Sequence, residues 1–216
     1  MARLVWAVGL MFETCDTVQQ TMAKMLKRAM DPLDERGRGS SMLFETWYRV
    51  LAQIIRPRRS NLVMLDHHRG HITVSIPDRD CSAPSQVDGY ITGRAGENEM
   101  IAYSIVIKGG EVCDWYIHWI MLPRLVALAL KRYTDDPDAQ SYRVYCVHLW
   151  STLFHVSVME VTRDVVLKIC TLTELPEESF TMHIHPQLEL TKAEDFRRAS
   201  SMLAGLIYYV EGQRAN

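Results

Sequence analysis

Met100-Ile101-Ala102-Tyr103-Ser104-Ile105-Val106-Ile107-Lys108 is the stretch on which the fold turns. Apolar residues fall on both alternating sets of positions, so neither face of this strand suits water. The segment is therefore expected at the centre of a sheet, covered on both sides. Gly109-Gly110 ends it, and an amphipathic helix is expected over Asp114–Tyr133, where Val112, Trp115, Trp119, Leu122, Val126, Ala129 and Tyr133 recur at steps of three and four. Asp114 in the first turn and Lys131-Arg132 in the last suit the helix dipole, and Pro123 is expected to kink the helix. A buried strand, a long helix and a further strand imply a mixed sheet with helices on both faces.

Upstream of this unit, Asn61–Asp66 and His71–Ile76 are expected to pair as a hairpin about His67-His68-Arg69-Gly70. A loop, Asp78–Ser85, should lead to an extended Val87–Thr92. Nearer the N-terminus, Leu4, Val8, Met11, Cys15, Val18, Met22, Met25 and Ala29 keep one helical face until Asp31-Pro32. Ser40 or Ser41 then offers an N-cap for a second helix reaching about Ile55. Downstream, Tyr142–Leu149, Leu153–Val161 and Val165–Cys170 read as a three-strand meander with turns at Trp150-Ser151 and Thr162-Arg163-Asp164. Thr181–His185 reads as extended. Thr191-x-x-Glu194 reads as a capping box for a last helix facing inward through Phe196, Ala199, Leu203, Leu206 and Val210. One α/β domain spans residues 1–216: an N-terminal helical pair over 1–56 and a mixed-sheet core with a C-terminal helix over 57–216.

Composition narrows the function classes. An apolar share of 48% and a charged share of 23% suit a packed core and argue against disorder. A net charge of −2 gives no global attraction to nucleic acid. The first sixty residues are nonetheless basic, and Arg56, Arg58 and Arg59 around Pro57 form a candidate anion-binding patch. The five cysteines form no CxxC pair and sit mostly at apolar positions, which points to free thiols in a reducing, intracellular compartment. Leu4–Phe12 lacks a small-x-small cleavage site and continues the helical period, so it reads as part of the fold. No apolar run nears the ~20 residues of a membrane span. The long heptad stripe of residues 1–30 could meet a protein partner or a second copy, with Lys24, Lys27 and Arg28 flanking the seam.

Walker, dinucleotide-fingerprint, GxSxG and HExxH motifs are absent from the sequence. His67, His68 and His71 cluster about one turn, and His183 and His185 share a face, so these five are the candidate zinc ligands. His118, His148 and His155 lie inside helices or strands and read as satisfied, partly buried side chains.

Asp88 opens one extended segment and Lys108 ends the next, just before the long helix. This resembles the PD-(D/E)xK nuclease superfamily, whose core runs α-β-β-β-α-β with an Asp on the second strand and an acid-x-Lys on the third. The resemblance implies a restriction-endonuclease-like core, with two acids holding Mg²⁺ or Mn²⁺ and the lysine serving the attacking water. Val87 stands where the motif has its proline, and Val106 stands where it has its second acid. An apolar side chain cannot ligate Mg²⁺, which demands oxygen.

Within the superfamily, residues 40–210 are most similar to the degenerate nuclease-like region of fungal-type protein kinases. That likeness rests on Asp88, Lys108, Asp114–Tyr133, Tyr142-Arg143-Val144-Tyr145 and Asp195-Phe196-Arg197-Arg198. Arg124 stands where that family often has glutamine, and no HRD-like or DFG-like kinase segment follows. The resemblance implies a pseudo-nuclease used as a binding or scaffolding module in a protein or protein–nucleic acid complex. Arg56, Arg58, Arg59 and Arg124 would be its binding residues. Two alternatives accompany it. One is an active metal-dependent nuclease using Asp88 and Lys108, whose second acid has moved to Glu99 or Glu111, with Glu97 and Asp114 further candidates. The other is a zinc-stabilised domain.

Overall fold

The computed structural model describes residues 38–55, 61–64, 70–75, 82–87, 89–92, 100–105, 122–171 and 180–212, with positions 20, 23, 24, 26, 27 and 30 nearer the N-terminus. Helix α1 covers Arg38–Ile55. Leu43, Phe44, Trp47, Tyr48 and Leu51 are buried along one side of it, at the three-and-four spacing of a helical face. Five short strands follow: β1 (Asn61–Met64), β2 (Gly70–Ser75), β3 (Ser82–Val87), β4 (Gly89–Thr92) and β5 (Met100–Ile105). Then come α2 (Leu122–Asp135), β6 (Ser141–Trp150), β7 (Leu153–Thr162), α3 (Arg163–Thr171), β8 (Phe180–Ile184), β9 (Leu188–Glu189) and α4 (Ala193–Gly212).

Among the described residues the main sheet has seven strands in the order β1-β4-β5-β6-β7-β8, with β9 also on β7. Neighbours are antiparallel except β5 and β6, which are parallel. A parallel pair needs a crossover, and α2 supplies it. Residues 100–105 of the decisive segment are thus interior, with β4 on one side and β6 on the other.

The two long strands show how the layers are fixed. Val147 and Leu149 of β6, with Phe154 and Val156 of β7, join the buried cluster of α1 and α4. Tyr142, Val144 and Cys146, with Met159 and Val161, join that of α2 and α3. Side chains alternate across a strand, so these two sets lie on opposite faces and helices cover both. Trp47 centres the first cluster. Its indole stacks on Phe196 at 5.4 Å, meets Phe154 edge-on at 5.1 Å, and donates from Nε1 to Ser200 Oγ at 3.0 Å. One buried hydrogen bond therefore ties α1 to α4. Leu26 packs against the same cluster, whereas Lys24 and Lys27 are exposed.

Several expectations need correction. β1 and β2 do not form a hairpin: β1 pairs with β4, and β2 pairs with β3 in a separate two-stranded sheet. That small sheet lies against α2. Covered by the main sheet and by this hairpin, α2 buries Leu125 and every residue from Ala127 to Leu130, far more than one stripe. Residues 82–85, expected as loop, belong to β3. Pro84 is tolerated because a strand with a single partner leaves one row of amides without ladder bonds.

Val165–Cys170 is helical, not a strand. Val165, Val166 and Cys170 are buried at helical spacing, with Asp164 in the first turn of α3 and Lys168 in its last. β-Branched residues suggested a strand, and tertiary packing overrode that preference. Pro123 is the second residue of α2 over Leu122–Asp135, and residues 114–121 of the expected helix lie outside the described residues. Ser40 and Ser41 lie inside the first turn of α1 and not before it. At α4, the Thr191 hydroxyl donates to Glu189 Oε1, while Asp195 Oδ2 accepts the Glu189 N–H. The expected N-cap thus reaches back toward β9 instead of closing on Glu194.

Candidate functional site

β5 and β6 run parallel, and α2 begins past the end of β5, so the carboxyl ends of both strands and the start of α2 share one end of the domain. In open α/β sheets this is the end at which ligands gather. The register defines a row across it. Gly89, the residue after Asp88, pairs with Tyr103; the next residue, Ser104, pairs with His148; and His148 pairs with His155.

A tight connection makes the histidine pair. Trp150 and Leu153 are partners, which leaves Ser151 and Thr152 as a two-residue turn. Ser151 adopts a φ of 53°, a left-handed conformation that such turns require. From that turn, His148 and His155 fall opposite one another on the α2 face, with Cys146 and Ser157 as the neighbouring pair on the same face. The two imidazoles stack with centroids 4.8 Å apart and planes inclined by 17°. His148 is 0% exposed and His155 5%.

Among the described residues, neither ring nitrogen of His148 nor Nε2 of His155 has a hydrogen-bond partner. A buried polar group without a partner costs roughly 1–3 kcal/mol. Such groups are uncommon in folded proteins, and each calls for a physical explanation. Burial pushes the His148 pKa well below its usual 6.5, and the neighbouring His155 and Arg124 push it the same way. Burial takes His155 to about 4. Both rings are therefore neutral at neutral pH. Arg124 is the third residue of α2 and is half-buried, so a fixed positive charge approaches the pair from the helix.

Of the residues singled out from the sequence, Arg124 belongs to this end. Asp88, Lys108, Glu97, Glu99, Glu111, Asp114, Arg56, Arg58, Arg59, His67, His68 and His118 lie outside the described residues. His71 is on β2, opposite Gln86 in the two-stranded sheet, while His183 is on β8 of the main sheet. His183 and His185 are both exposed. Among the described residues no three His, Cys, Asp or Glu side chains converge as a metal site. Contrary to the expectation of satisfied, partly buried side chains, His148 and His155 are deeply buried, and among the described residues three of their four ring nitrogens lack partners. Among the described residues no helix is long and apolar enough to cross a membrane.

No protein-family model matches the chain, and no curated protein matches it either.

Proposed function

We propose that this chain is a non-catalytic, nuclease-like α/β domain that works as a binding or scaffolding module within a protein or protein–nucleic acid complex. The observation that carries the reading is the element order. With the β2–β3 pair set aside as an insertion, α1-β1-β4-β5-α2-β6 runs α-β-β-β-α-β, and β5 lies beside β6 in parallel. β4, the second strand of that series, begins directly after Asp88. β5, the third, stops three residues short of Lys108. The described flanks of Asp88 and Lys108 thus lie on adjacent strands, which supports the reading.

Val106 separates a nuclease from a pseudo-nuclease here. Two carboxylates are needed to hold the hard divalent cation that such hydrolysis uses, and Val106 supplies no oxygen at the second position. The test is incubation of the full chain with Mg²⁺ or Mn²⁺ and labelled single- and double-stranded DNA and RNA. No cleavage above a metal-free control is expected. Cleavage abolished in both Asp88→Ala and Lys108→Ala would overturn the proposal in favour of an active enzyme whose second acid has moved to Glu99 or Glu111.

A further inference from the structure

We propose that the stacked His148–His155 pair is a proton-operated latch that holds α2 on the sheet at neutral pH and releases it on acidification. Three geometric facts carry this. The rings are stacked and almost wholly removed from water, three of their four nitrogens have no partner among the described residues, and α2 lies over the face they occupy. A neutral imidazole behaves there as a flat, mostly apolar side chain. A protonated one is a buried cation with its N–H groups unsatisfied, 4.8 Å from a second ring.

Among the described residues, the charge acting on the pair opposes protonation. From β6 and β7 the facing groups are the two imidazoles, with Cys146 and Ser157 beside them. From α2 comes the Arg124 guanidinium, whose charge already disfavours the His148 cation. Among the described residues no carboxylate contributes to either ring. A proton on His148 is therefore repelled by Arg124, and charging one ring disfavours charging the other. The contact that can give way is the one between α2 and the sheet, because β6 and β7 are locked by ten consecutive pairs. The cluster of α1 and α4 occupies the opposite face and contains no part of this pair, so it should stay closed.

The direction follows from linkage. Unfolded histidine takes up its proton near 6.5, and these rings resist it to lower pH, so the closed form loses stability as pH falls below about 6.5. The latch is a pH-sensitive element of the kind histidine serves elsewhere, with the switching range displaced downward by burial.

The experiment uses the full wild-type chain. Histidine Cε1 resonances are followed by NMR from about pH 8 to about pH 4, with His148 and His155 assigned through their backbone amides, alongside amide exchange corrected for intrinsic pH dependence. Both rings are expected to stay neutral until below about pH 5. As they titrate, amides of 122–135 should lose at least about ten-fold of their protection while those of α1 and α4 keep theirs. Ordinary titration near 6.5, unchanged α2 protection after the rings charge, or equal loss across the whole chain would each overturn the latch. A His148→Phe/His155→Leu double variant should retain α2 protection at about pH 4, where the wild type loses it. If that variant does not fold, the coincidence of ring titration and α2 opening in the wild type decides the matter.

Discussion

The bond between Trp47 Nε1 and Ser200 Oγ allows a quantitative test of the layered architecture. The two residues are 153 positions apart, both are 0% exposed, and the donor–acceptor distance is 3.0 Å. Ser200→Ala removes the acceptor and leaves a buried indole N–H unsatisfied, which should cost roughly 1–3 kcal/mol. Trp47→Phe removes the donor and also part of the ring system that stacks on Phe196 and meets Phe154, so its cost should be larger, about 2–4 kcal/mol. In the double variant the lost bond is counted once, so the sum of the single effects should exceed the double effect by about 1 kcal/mol. Urea unfolding followed by far-ultraviolet circular dichroism reads all four proteins without relying on tryptophan emission. Single effects that add to within about 0.3 kcal/mol would mean that the bond is not made and that α1 does not sit against α4 as described.

Other outcomes follow from the same structure. Burial holds His155 near a pKa of about 4, below the unfolded value of 6.5, so its contribution is complete above pH 6.5 and is lost as pH falls toward 4. At ~1.36 kcal/mol per pH unit this ring alone accounts for up to about 3 kcal/mol, and urea midpoints at about pH 7.5 and 4.5 should differ accordingly. Ile105→Asp places a charge on an interior strand and should leave the protein unfolded or insoluble; soluble protein with an unchanged Tm would remove β5 from the sheet's interior. Deleting residues 1–30 removes Leu26 from the α1–α4 cluster and should lower stability; size-exclusion light scattering of the two forms then shows whether the N-terminal stripe also joins chains.

Parts of this fold are legible in the sequence for physical reasons. The doubly apolar run from Met100 identifies an interior strand because only burial on both faces suits it, and Phe196, Ala199 and Leu203 mark the inward face of α4 by spacing alone. Strand partners were not legible, because pairing β1 with β4 depends on where the chain returns after the β2–β3 excursion. Val165, Val166 and Cys170 misled because a short β-branched run suits either a strand or one buried side of a helix. The histidine pair was hidden by a one-residue shift of the turn, which moves the partner of His148 by two residues. A turn centred on Trp150-Ser151 sets His148 opposite Leu153, whereas the true turn, Ser151-Thr152, sets it opposite His155. The hydrophobic pattern does not announce the pair, because a neutral imidazole fits a core position without disturbing the alternation.

The central claim, that a nuclease-like scaffold has lost its metal site through an apolar residue, is tested most directly by Mn²⁺ titration monitored by electron paramagnetic resonance on three proteins: wild type, Val106→Glu, and Val106→Glu/Asp88→Asn. The wild-type chain should hold no stoichiometric Mn²⁺ at millimolar concentrations. Val106→Glu should acquire one site by returning the motif's second carboxylate, and adding Asp88→Asn should abolish it. A wild-type chain that binds one Mn²⁺, or a Val106→Glu chain that folds and binds none, would contradict the account.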